Sequence, residues 1–154
     1  MEVEAAERYD EFAAWMEVHN NRDIAGLFRE LSGIGRRHAE TMATDLADDG
    51  SAVAVNTALA ASGRDELETI SGDALHYLMT PHHALQIALK NEERALAFFA
   101  GLAENAASDE VHHLAAKLAD EKKRHVKLMS TWLTRLPEPS ADWAYDPDDA
   151  RMPD

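Results

Sequence analysis

Two acids, two histidines and a lysine are the side chains of this sequence best placed to do chemistry: Glu2, Glu92, His38, His125 and Lys122. Carboxylates and imidazoles hold divalent metals, and they also share protons in buried hydrogen-bond networks. His125 recurs with Val111, Leu114, Leu118, Met129 and Trp132 at three- and four-residue steps, which puts it on the apolar stripe of a helix. Lys122, one turn earlier, lies on the same stripe. A helix that points an imidazole and an ammonium at its own core needs partners for both, because an unpaired buried charge is costly.

Four long helical patterns must position these groups. The first spans about Glu2 to Val18, with Glu2, Ala5, Tyr9, Phe12, Ala13 and Met16 inward. "HNNRD" (His19–Asp23) reads as a turn, since Asn tolerates left-handed geometry and Asp23 can cap the next helix. The second spans about Ile24 to Leu46, with Ile24, Phe28, Leu31, Gly35, His38 and Met42 inward, and "ADDGS" ends it. The third opens at Thr80–Pro81, a cap followed by proline at the first helical position, and turns Ala84, Ala88, Glu92, Ala95, Phe99 and Leu102 inward. The fourth follows a cap at Ser108 or Asp109 and ends near Leu136, before Pro137.

The stretch from Gly50 to Met79 is too long for a hairpin loop and suits a crossover along a bundle, with a short helical "DALHYLM" inside it. The segment from Pro137 to Asp154 is acidic and proline-rich, hence extended, with Trp143 and Tyr145 available to pin it to the body or to a neighbouring subunit.

In an antiparallel helix pair, residues equally far from the turn lie side by side. Glu2 and His38 have their midpoint at residue 20, inside the first turn, and Glu92 and His125 at 108.5, inside the last break. Each partner therefore sits roughly 25 Å from its turn. If the two hairpins pack with matching ends, the four side chains converge in the bundle interior. Taken singly, each has an ordinary explanation: a hydrogen-bonded core histidine, or an acid in a first turn. The coincidence of four at one depth favours a shared site. His82–His83 and His112–His113 are adjacent pairs that face different directions on a helix, so they make poor chelators.

Composition narrows the field. Hydrophobic residues make up 45%, with only 7 Gly and 5 Pro in 154 residues, as in an ordered helical protein of one domain. A net charge of −14 argues against nucleic acid or an anionic membrane as partner. The absence of cysteine excludes disulfides, iron–sulfur clusters, thiolate zinc sites and cysteine nucleophiles. No basic-then-apolar leader and no apolar run of about 18 residues occurs, so the expectation is a soluble, cytoplasmic protein.

The stretch "ERYDEFAAWMEVHNNRDIAGLFRELSGIGRRHAE" resembles the first helix pair of rubrerythrins and related ferritin-like proteins, with Tyr9, Phe12, Ala13, Ile24, Ala25, Phe28, His38 and Ala39 in register. "NEERALAFFAGLAENAASDEVHHLAAKLADEKKRHVKLM" is similar to their second pair. The resemblance implies an all-α, ferritin-like four-helix bundle over residues 1–136, a crossover at about 47–79 between helices two and three, and an extended acidic tail at 137–154. It also implies two irons that react with dioxygen or peroxide, held by one glutamate on each of helices one and three and a Glu-x-x-His motif on each of helices two and four. By position Glu2 and Glu92 match the lone glutamates, and His38 and His125 the motif histidines. The motif glutamates do not carry over, for Gly35 and Lys122 stand in their places. The cysteine domain that relays electrons in a full rubrerythrin is missing as well.

Charge decides how much of that chemistry survives. Four glutamates balance two divalent irons; two glutamates and a charged Lys122 would leave roughly +3 in a low-dielectric interior, so an intact pair is unfavourable. Two arrangements remain. The favoured one has the Lys122 ammonium in place of a metal, paired with Glu92 and, where it reaches, Glu2, with His38 and His125 completing a buried hydrogen-bond network. The other has a single divalent ion, iron or another, on Glu2, His38, Glu92 and His125, at most one per chain. Glu121, four residues before His125, is a possible substitute carboxylate, although its position one residue off the stripe fits a surface acid better. The functions that follow are a rubrerythrin-type non-haem iron oxidoreductase with a reduced site, or a non-catalytic structural or partner-binding bundle. A homodimer is expected by analogy alone, and these residues specify neither substrate nor electron donor.

Overall fold

The described residues form five helices: α1 (Glu2–Val18), α2 (Arg22–Asp49), α3 (Ser51–Ala61), α4 (Pro81–Glu104) and α5 (Asp109–Leu133). The computed structural model describes residues 2–49, 51–61 and 80–140, and all of its regular structure is helical. α1 packs along α2 as one hairpin and α4 along α5 as another, while α3 touches α2 and α5. Among the described residues no helix is long and apolar enough to cross a membrane.

Local chemistry sets the helix ends. Asn20 adopts φ 61°, with its N–H on the Glu17 carbonyl at 3.0 Å and the Asn21 N–H on Met16 at 2.8 Å. That pair of bonds is the left-handed C-terminal cap that Asn accepts at low cost. α2 then begins at Arg22, so Asp23 is a first-turn acid within the helix and not its cap. Thr80 caps α4: its hydroxyl accepts from the His83 N–H at 3.3 Å, and the His83 ring nitrogen accepts from the Thr80 N–H, a reciprocal box with histidine in the usual glutamate position. Burial lowers the pKa of His83, helped by the neighbouring His82, which suits this acceptor role. Ser108 caps α5 through the Val111 N–H at 3.2 Å.

Several boundaries move from their sequence expectations. α2 continues to Asp49, and Ser51–Ala61 in the crossover is a helix because Val55 buries itself against Phe99 and Leu118. α5 stops at Leu133, and two turn hydrogen bonds carry the chain to Leu136. The "DALHYLM" segment and the tail aromatics Trp143 and Tyr145 lie outside the described residues.

Among the described residues the core has two apolar parts. One joins both hairpins through Tyr9, Phe12, Met16, Ile24, Phe28, Leu31, Leu85 and Met129, with the Phe12 and Phe28 rings stacked at 5.1 Å. The other is Val55, Phe99 and Leu118. Each such side chain contributes about 1.5–3 kcal/mol on burial. On α4 the buried sequence runs Ala88, Glu92, Phe99, and on α5 it runs Leu118, Glu121, Lys122, His125, Met129. A polar layer is thus enclosed between two apolar ones.

The α1–α2 turn offers a local test. Asn20→Gly should leave the urea midpoint unchanged or slightly raised, whereas Asn20→Val should cost about 1–2 kcal/mol, because a β-branched residue is disfavoured at positive φ. Equal stability of the two variants would refute the left-handed cap.

Candidate functional site

Glu92 on α4 is 3% exposed, and each of its carboxylate oxygens has a partner from another helix. The Tyr9 hydroxyl, from α1, donates to Oε1. From α5, His125 Nδ1 approaches Oε2 at 3.1 Å and Lys122 Nζ lies 3.5 Å from the same oxygen. An ionised carboxylate can only accept, so His125 carries its hydrogen on Nδ1. At its longer distance the ammonium acts as a charge partner more than as a short hydrogen bond. Lys122 and His125 are themselves buried.

The electrostatics follow from these contacts. Burial alone would raise the Glu92 pKa, because it removes the charged form from water. The Lys122 charge opposes it, followed by the hydrogen bond and charge of His125 and the hydrogen bond from Tyr9, and together they bring it from the usual 4.5 to about 2. Glu92 is therefore a carboxylate near neutral pH.

A second acid–imidazole pair lies beside the first. His38 on α2 places Nδ1 2.5 Å from Glu121 Oε1, with the histidine side chain 27% exposed and the glutamate 9%. The approach is off the hydrogen-bonding direction, and the buried Nδ1 has no hydrogen-bond partner. The contact is one of proximity, not an aligned hydrogen bond.

Of the residues singled out by sequence, the fold brings Glu92, Lys122 and His125 together. His38 reaches α5 at Glu121, one helical turn before His125, and not at Glu92. The expectation that Glu121 is a surface acid is wrong, for it is 7% exposed. The physical reason is that a bundle helix packs against two neighbours at once, so its buried face is wider than a single stripe. Gly35 is buried on α2, and the Glu2 side chain lies outside the described residues. Tyr9 was legible only as a core aromatic; the available signal was that an inward phenol needs a partner for its hydroxyl.

These donors do not fit a pair of irons. The ammonium of Lys122 sits on the Glu92 oxygen that a metal would require, and Gly35 has no donor to offer. Among the described residues no three His, Asp or Glu side chains gather as a metal-binding set.

A sequence model of the Rubrerythrin family matches residues 1–133. The chain is also similar to the crystal structure of an uncharacterized conserved protein from Magnetospirillum magnetotacticum MS-1, with 36% identity, a TM-score of 0.70 and 91% of each chain covered. No curated protein matches it.

Two stability measurements test the network. A carboxylate whose folded pKa lies below its unfolded value stabilises fully above the unfolded value and loses that contribution as pH falls toward the folded one. Glu92 should thus contribute on the order of 3 kcal/mol at neutral pH that disappears between about pH 5 and pH 2. Glu92→Gln removes that component of the acid slope of the urea midpoint, and identical slopes in the two proteins would overturn the assignment. In a double-mutant cycle, Glu92→Gln and Lys122→Met should each cost about 3–5 kcal/mol, because each strands a buried partner, while the double variant should cost far less than their sum. Additive losses would mean that the two groups do not interact.

Proposed function

The chain belongs to the rubrerythrin family, and from that premise we propose that it is a member in which an ammonium group has taken over the work of metal cations. The observation that carries this reading is the position of Lys122, 3.5 Å from a Glu92 oxygen that also faces His125. Lys122 neutralises the buried carboxylate, and Tyr9 and His125 orient it. No redox centre is needed for that role. The protein then serves as a non-catalytic bundle, a structural or partner-binding module assembled as a homodimer, and not as a two-iron oxidoreductase acting on dioxygen or peroxide.

A second reading is favoured by one observation, the buried Nδ1 of His38 without a hydrogen-bond partner beside Glu121. A single divalent ion held by His38 and Glu121 would satisfy both groups and would supply redox chemistry toward dioxygen or peroxide. Here Lys122 remains the counter-charge of Glu92, and Glu121 takes the part of a substitute ligand.

Elemental analysis of untagged protein from iron-supplemented cells separates the two. The first reading expects well under one iron per chain, unchanged by His38→Ala. The second expects one metal per chain, lost in His38→Ala. Two irons per chain would defeat both. Restoring the family's carboxylates with Gly35→Glu and Lys122→Glu should create binding of two metals, and failure to bind any would count against the register that places residues 35 and 122 at the ligand positions.

A further inference from the structure

A cavity of about 430 Å³ opens at the end of the bundle where the α1–α2 turn meets the end of α5. That volume is within the range of pockets that take a small ligand. Its apolar walls come from Ile24, Trp132 and Leu136, and its charged rim from Arg22, Arg135 and Asp23. Among the described residues Arg22 and Arg135 have no carboxylate in ion-pair reach, although Arg29 and Arg36 pair with Glu17 and Asp10. Two arginines on one rim without an acid partner are an unusual concentration in a chain of net charge −14. Asp23 pairs with neither of them, and two cations against one carboxylate leave the rim net positive. The Arg135 guanidinium lies 5.7 Å from the centre of the Trp132 ring. That attraction holds the group over the indole and leaves its edge N–H groups to donate elsewhere.

We propose that this cavity binds a small monocarboxylic acid with a flat aromatic body, its carboxylate on Arg22 and Arg135 and its ring against Trp132. Each property of the ligand answers one feature of the site. Guanidinium groups recognise a carboxylate through charge-assisted, in-plane hydrogen bonds. The indole and the two aliphatic walls favour a planar apolar body, since aromatic rings meet in offset or edge-on contact. Asp23 repels a second negative charge, so a monoanion is preferred to a phosphate ester or a dicarboxylate. Both arginines are exposed and stay hydrated, which keeps the affinity modest, with Kd on the order of 0.1–1 mM. The cavity is separate from the polar layer around Glu92. His125 and Trp132 are seven residues apart on α5, roughly 10 Å along the helix, and Met129 is buried between them. Binding there is independent of whether His38 and Glu121 hold a metal.

The test titrates the full chain, labelled with nitrogen-15, with phenylacetate and follows the indole N–H resonances of its three tryptophans. The Trp132 resonance should move saturably at one ligand per chain, while Trp15, which does not line the cavity, reports an intact fold. Arg22→Ala and Arg135→Ala, at exposed positions, should each weaken binding about tenfold through the loss of a charge-assisted hydrogen bond. The Trp15 resonance should keep its position in both variants. Phenylacetamide, the same shape without the charge, should bind about tenfold more weakly than the acid. A Trp132 resonance unmoved at about 10 mM phenylacetate, well above the expected Kd, would overturn the proposal. Equal binding of phenylacetamide would overturn it as well, because the cavity would then be an apolar cleft only. Displacement of phenylacetate by an equal concentration of inorganic phosphate would do the same, by marking the arginines as a site for any anion.

Discussion

A carboxylate cannot be buried at the centre of a helical bundle unless its charge is met there, and Glu92 shows how this protein meets that constraint. Its partners come from α1 and α5 while it sits on α4, so one side chain ties three helices together. The net electrostatic balance favours the ionised form despite burial, which means the partners more than offset desolvation. Because apolar clusters close off both sides of this layer, water is a poor substitute for any missing partner. The position of the layer also specifies helix register, since sliding either hairpin by one turn would strand the carboxylate among alkyl groups.

The same constraint bears on the donors around Glu92, which needs a positive partner in the interior and has one in Lys122. Two divalent cations and their acids form a balanced cluster; remove carboxylates, and the remaining ones still need positive charge. A lysine, with its four-carbon stem, can bring an ammonium to about the place a cation would occupy, from a backbone position already pointing inward. In this chain the ammonium lies between α4 and α5, where Lys122 faces Glu92. The α2 side has followed another course: Gly35 has no donor, and His38 meets Glu121, a carboxylate shifted by one residue along α5. Two small acid–base pairs thus stand where a single symmetric cluster is the family pattern.

How far these features could be read from the chain varied with the kind of interaction. Helix caps at Thr80 and Ser108 and the turn at Asn20 are local, dictated by side chains within three or four residues, and they came through nearly unchanged. The pairing of Glu92 with His125 was legible because equal distances from one turn place residues side by side in a hairpin. Glu121 and Tyr9 were harder. One-dimensional periodicity draws a single stripe, whereas α5 presents a broad face to two neighbours and α1 delivers a phenol from the other hairpin. The helix α3 was missed for a related reason: among its described side chains Val55 is the buried one, and it becomes a core residue through contact with α4 and α5.

Apolar spacing and the positions of turn residues by themselves determined the helical pairs and placed an imidazole, an acid and an ammonium on inward faces, because periodicity and capping act over a few residues of backbone. Tertiary structure alone decided which acid met His38. That choice depends on the lateral packing of helices far apart in sequence, where a shift of one residue along α5 exchanges Lys122 for Glu121 and turns a cation toward Glu92 and an anion toward His38.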